Sequence, residues 1–312
     1  LFSATNMMLS TSLRATGDVI TPLYFLACST TMNVAFGYAL AFGIGPLPTL
    51  GVAGVALGGG IAGALVTIAF VLMWWNGRFN LQPVGEARFD WVAARKLVRI
   101  ALPAVTEQGV VQIAFLAFFA IIANYGTSAY AAYGIGISLV AFPIVIGFGF
   151  GIATATLVGQ QLGAGRPAQA MMTGWRSLRM ALLAMITLSA CMASYARDLA
   201  TFMINDAEVI DLTVGFIYII CLAQPMMAID FTLAGALRGA GDTRFPLLST
   251  FIGIIFGRLL PAWLCVQLNL SVYWVFAVML LDCLLKSSLL LWRYRSRKWL
   301  DINPNQDSPG SL

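Results

Sequence analysis

The sequence predicts an all-α polytopic membrane protein built from two similar helical lobes. Three observations predict it. The chain is 60% hydrophobic and only 10% charged, with a mean hydropathy of +0.85, far from the roughly one-quarter charged composition of soluble domains. Apolar stretches of about 20 residues, the length that crosses a bilayer, recur along it. And "LRATGDVITP" at 13–22 returns as "LRGAGDTRFP" at 237–246, with the same Arg–Gly–Asp–Pro pattern in a chain that otherwise avoids charge.

So much apolar surface cannot be buried within 312 residues, so lipid must be the main solvent. Residues 1–13 read as the end of a helix that starts upstream, and the first residue is Leu, so an N-terminally truncated chain is expected. Spans follow near 21–43, 51–75, 99–123, 131–160, 173–195, 210–236, 246–267 and 271–292. Pro143 and its neighbouring glycines mark a kink or close helix packing, which membrane helices tolerate. The cysteines at 28, 191, 221, 265 and 283 lie in apolar runs without CxxC spacing and read as small packing residues. The chain has no histidine, which excludes imidazole metal sites, Ser–His or Cys–His nucleophile pairs and imidazole relays.

Orientation comes from the connections. Basic residues cluster at 76–99, at 161–179, in the C-terminal tail and in the two quoted hairpins, which together hold 15 of the 18 Lys and Arg. The alternate connections are uncharged or, at 196–209, acidic. The basic side is therefore expected to be cytoplasmic, with the C-terminus on it, and the net charge of +5 needs no nucleic-acid partner.

Each quoted hairpin carries its own local logic. Arg14 and Arg238 suit the carbonyl end of a helix, and Gly17 and Gly241 allow the turn. Asp18 and Asp242 precede the next helix, whose early residues include Pro22 and Pro246. Two complete helices follow each copy, so the recurrence implies two halves built alike, a common transporter plan. The offset of 224 residues implies twelve helices in the intact protein. The expected division is 1–76 as the C-terminal part of a first lobe, 77–98 as a cytoplasmic linker, 99–295 as a six-helix second lobe and 296–312 as a tail.

With "VGQQLGAGRP" at 158–167 and "IALPAVTEQ" at 100–108 after a basic linker, the two hairpins resemble multidrug and toxic compound extrusion (MATE) transporters, nearest their DinF-like branch. The resemblance runs from residue 1 to about 295. It implies two six-helix lobes around a cavity that alternately faces each side of a bacterial inner membrane. It also implies efflux of amphipathic, often cationic compounds against Na+ or H+, with no cofactor and a monomeric protein. The family's first-lobe cation site would lie upstream of this chain.

Ionisable groups within a bilayer cost at least about 2.5 kcal/mol each and mark functional sites by default. Glu107, Asp230, Arg258, Asp282 and Lys286 qualify. Glu107 and Asp230 lie at similar depth, and the resemblance places family acids on both of their helices. They are the expected cation or substrate site, with Gln108, Gln112 and Gln224 as neutral ligands. The structural alternative pairs these acids with Arg258. Asp282 and Lys286, four apart, read as an ion pair, with Lys286 snorkelling to the inner face.

The glycines of "LVGQQLGAGRP" follow a membrane helix, not a β-strand, so Gly163 and Gly165 read as helix terminators instead of a nucleotide loop. The rival functions are a lipid-linked sugar flippase, whose cavity would be basic, an intramembrane enzyme, and a channel. No paired aspartates in a GxGD context support the enzyme reading.

Overall fold

The computed structural model describes residues 2–44, 49–79 and 91–300, and among them the regular structure is helical. The elements are α1 (Phe2–Ala15), α2 (Ile20–Phe42), α3 (Gly51–Trp75), α4 (Trp91–Ala123), α5 (Thr127–Gly163), α6 (Pro167–Ser194), α7 (Ala196–Met203), α8 (Ala207–Gly239), α9 (Arg244–Ile252), a π-helical segment (Gly253–Leu259), α10 (Leu260–Gln267) and α11 (Val272–Arg295). Eight spans among the described residues are long and apolar enough to cross a membrane. Every element predicted to span is present. Three details differ from the sequence reading. α4 begins at Trp91, inside the stretch expected to be linker; a short helix, α7, occupies the acidic connection; and the span at 246–267 is interrupted by the π-helical segment.

The chain divides into two units, residues 1–89 and 90–312. In the first unit, α3 lies directly on α2. Gly54 and Gly58 face the α2 backbone at Leu40 and Gly37, where any Cβ would collide. Phe25 stacks on Phe70 at 4.1 Å, and Phe79 closes the cluster edge-on. The rest of α2 exposes large apolar side chains such as Val34 and Tyr38, as a helix solvated by lipid would.

In the second unit α8 is central, packed by α5, α6, α7 and α11. Small residues permit the α5–α8 contact. Gly235 meets the Gly151 backbone, Gly239 meets Ala155, and Gly147 and Gly136 receive the rings of Phe231 and Phe216. α5 continues as one helix through Pro143. One end of the unit is filled by Phe118, Tyr133, Phe216 and Phe276. The other is closed by Tyr294, which stacks on Trp299 at 4.9 Å and donates its hydroxyl to the Met171 carbonyl at 3.0 Å.

The two hairpins share their capping hydrogen bonds. Gly17 and Gly241 have φ of +94° and +87°. The amide of Asp18 donates to Leu13 O at 3.1 Å, and that of Asp242 to Leu237 O at 2.9 Å. Gly17 and Gly241 donate to Arg14 and Arg238 O at 3.1 and 3.0 Å. This is the paired 6→1 and 5→2 pattern of a Schellman cap. Asp18 Oδ1 then accepts the Thr21 amide at 3.0 Å, and Asp242 Oδ1 that of Phe245 at 3.4 Å. The hydrogen bond from the Thr21 side chain, then that from its backbone, holds the Asp18 carboxyl below the usual carboxylate range. The same cap ends α5, but at Gly165 (φ +71°) alone; Gly163 is still helical.

Candidate functional site

A cavity of about 270 Å³ opens within the second unit, among α4, α5, α8, α9, the π-helical segment and α11. Helical spacing supplies its walls. Glu107, Gln108, Gln112 and Phe115 share one face of α4; Asp230 and Arg238, two turns apart, share one face of α8. Thr250 of α9 and Ile254 of the π-helical segment follow, then Arg258. Lys286 and Cys283 come from α11, and Ile144, Phe148, Met227 and Phe231 make the apolar side.

The structure therefore brings Glu107, Asp230, Gln108 and Gln112 to one cavity. It does not bring Gln224, which is buried with its amide donating to Met192 Sδ at 3.4 Å, on the side of α8 facing α6. Gln224 is close to Asp230 in sequence, but six residues along a helix is not the same face.

The charged groups are paired in a way the sequence does not disclose. Glu107 is 6% exposed and accepts from Arg238 Nη2 at 2.6 Å and Thr250 Oγ1 at 3.0 Å. Arg258, the partner under the structural alternative, is instead bonded to Asp282. Arg238 does more than cap α8: its side chain crosses to the cavity and becomes a third basic wall residue beside Arg258 and Lys286. Its place two turns from Asp230, on the same helix face, is the available signal. The equivalent aspartate of the hairpin, Asp242, accepts from Arg293 Nε at 2.8 Å and ties the turn to the end of α11.

Behind the wall Asp282, fully buried, pairs with both Arg258 and Lys286, and its Oδ2 accepts from Lys286 Nζ at 3.3 Å. The spacing of Asp282 and Lys286 does predict their pairing, but Lys286 is 8% exposed and lines the cavity instead of snorkelling. Here the helix widens, with the Leu260 amide reaching back to Ile255 O, an i→i+5 bond of the kind frequent at functional sites. The wide turn carries Arg258, which also lies 5.9 and 5.8 Å from the Phe115 and Phe118 ring centres. Gly257 leaves room for the Asp282 backbone, where a Cβ would come within 2.7 Å of its Cα. Asp230 differs from Glu107 and Asp282, since no ion pair reaches it among the described residues.

Among the described residues no cluster of His, Cys, Asp and Glu could hold a metal ion. The arrangement offers one uncompensated carboxylate beside amide ligands and aromatic surface, in a space below the roughly 300–1,000 Å³ of pockets that enclose drug-sized molecules. It suits an ion or a cationic head group.

Residues 103–264 match the family model MatE. "Probable multidrug resistance protein NorM" of Thermotoga maritima is 30% identical over 298 residues, 93% of this chain and 63% of that protein. A protein of the same name from Deinococcus radiodurans is 31% identical over 219 residues, 69% of this chain and 48% of its own length. The chain thus spans about half to two-thirds of the curated relatives it matches. Its fold superposes with TM-score 0.83 on "Crystal structure of MATE in the bent conformation", covering 95% of this chain and 65% of that one at 14% identity. A family match over just more than half the chain and a curated relative matching 93% of it place it: this chain belongs to the MatE family.

Proposed function

We propose that the protein carrying this chain is a secondary active multidrug efflux transporter, exchanging amphipathic cations for Na+ or H+ by alternating access. It would lie in a bacterial inner membrane with the basic loops and C-terminus cytoplasmic. The observation that carries the reading is the cavity of the second unit, where Asp230, without an ion pair among the described residues, lines the same wall as the Arg238 that binds Glu107. A monovalent cation entering there meets a carboxylate within the membrane span, with Gln108 and Gln112 to replace lost water. The multidrug resistance names of the two relatives support the substrate class.

A second reading, transport of an anionic head group as in lipid-linked sugar flippases, draws on the three basic wall residues. Two of them are neutralised, Arg238 by Glu107 and Arg258 by Asp282, so the cation reading is favoured.

The test uses the intact protein in proteoliposomes, following dye efflux after Na+ and pH jumps. Asp230→Asn and Glu107→Gln should each lower efflux at least tenfold without loss of protein. Efflux unchanged in both variants overturns the assignment, and uptake of an anionic lipid-linked sugar in place of cationic dye would favour the second reading.

A further inference from the structure

Counting the charges at the cavity exposes an imbalance. Asp282 is bonded by two cations, Arg258 and Lys286, where one would neutralise it. Among the described residues Asp230, which lines the same cavity, has none. Glu107 and Arg238 cancel each other. Three acids and three bases thus balance only if the surplus positive charge of the Asp282 group is set against Asp230. Lys286 is the group able to supply it. Its ammonium ends a flexible stem, while the Arg258 guanidinium is held by Asp282 and between two aromatic rings. Lys286 and Asp230 line the same cavity.

The stem has a prepared track. Gly253 of the π-helical segment leaves a slot along it, where a Cβ would lie 2.5 Å from Lys286 Cγ and 2.9 Å from Cε. Lys286 can therefore slide along a bare helix surface without losing its packing on one side.

Building on the cation-site reading above, we propose that Lys286 is a resident cation of this site, which answers the charge of Asp230 when no ion is bound and competes with any cation that enters. An arriving monovalent cation takes over Asp230, and Lys286 withdraws fully onto Asp282, so the buried charge balance is restored in both states. Affinity is thereby held down, which favours release on each cycle.

The probe is radiolabelled tetramethylammonium, a permanent cation small enough for the cavity, bound to the intact protein in lipid nanodiscs. Lys286→Met should tighten binding on the order of tenfold, the size of one nearby unit charge in a partly polar interior, and Lys286→Arg should stay within about twofold of wild type. Asp282 keeps Arg258 in these variants, so the fold survives. Lys286→Gln, which retains a hydrogen bond to Asp282, carries the same expectation as Lys286→Met should the latter fail to assemble. In an Asp230→Asn background the tightening should vanish. Unchanged or weaker binding in the neutral variants, or equal tightening without Asp230, overturns the role of Lys286. Wild-type binding indifferent to Asp230→Asn overturns the cation site itself; loss of binding in that variant with an inert Lys286→Met overturns the resident cation alone.

Discussion

Asp282 has no solvent-exposed surface and holds two cations that form no ion pair with another described acid. Removing its charge leaves Arg258 and Lys286 buried against each other. Breaking a buried ion pair from one side costs about 3–5 kcal/mol, so Asp282→Asn should lower the thermal unfolding midpoint in detergent sharply, while Asp230→Asn, which breaks no ion pair, should leave it nearly unmoved. The comparison separates an acid that holds the unit together from one available to a ligand. At this scale the sequence is legible in part. All five embedded charges can be listed, and the pairing of Asp282 with Lys286 follows from a four-residue spacing. The pairs Glu107–Arg238 and Arg258–Asp282 do not, because each joins different helices and the alternatives are equally compatible with the sequence.

Between elements, the α5–α8 contact rests on glycines that sit backbone to backbone. A methyl at Gly235 would strike the Gly151 carbonyl, whereas one at Gly149 meets nothing. Overpacking of this kind costs about 1–3 kcal/mol. Gly235→Ala should therefore lower the unfolding midpoint and the yield of folded protein, and Gly149→Ala should leave both unchanged. Both residues lie in glycine-containing helices that look alike in sequence. The hairpins are more transparent: the left-handed turn at Gly17 and Gly241 and the accepting carboxylates of Asp18 and Asp242 follow from local chemistry within six residues. The π-helical segment leaves no such mark, since its residues are ordinary helix formers and glycines; the widening comes with close packing on α11.

Over the whole chain, alternation of basic and uncharged connections predicts that the C-terminal tail faces the cytoplasm. A cysteine introduced at Ser296, on a cysteine-free background of the intact protein, should react with a membrane-impermeant maleimide only after the cells are opened. Labelling of intact cells would invert the orientation. One hairpin recurs at an offset of 224 residues with the same capping hydrogen bonds in both copies, as a plan of two similar halves predicts.

Composition and run length were enough to establish that lipid is the solvent, where the spans lie and that a turn was duplicated, because insertion in a membrane depends on summed apolar content and on backbone self-satisfaction. Which face of each span looks inward was settled by packing alone. In water an amphipathic stripe announces the core, but lipid chains are as apolar as leucine, and large hydrophobic side chains here cover exposed and buried faces alike. With that contrast gone, the grouping of Glu107, Asp230 and Lys286 around one cavity, and the exclusion of Gln224 from it, emerged only when the helices were brought together.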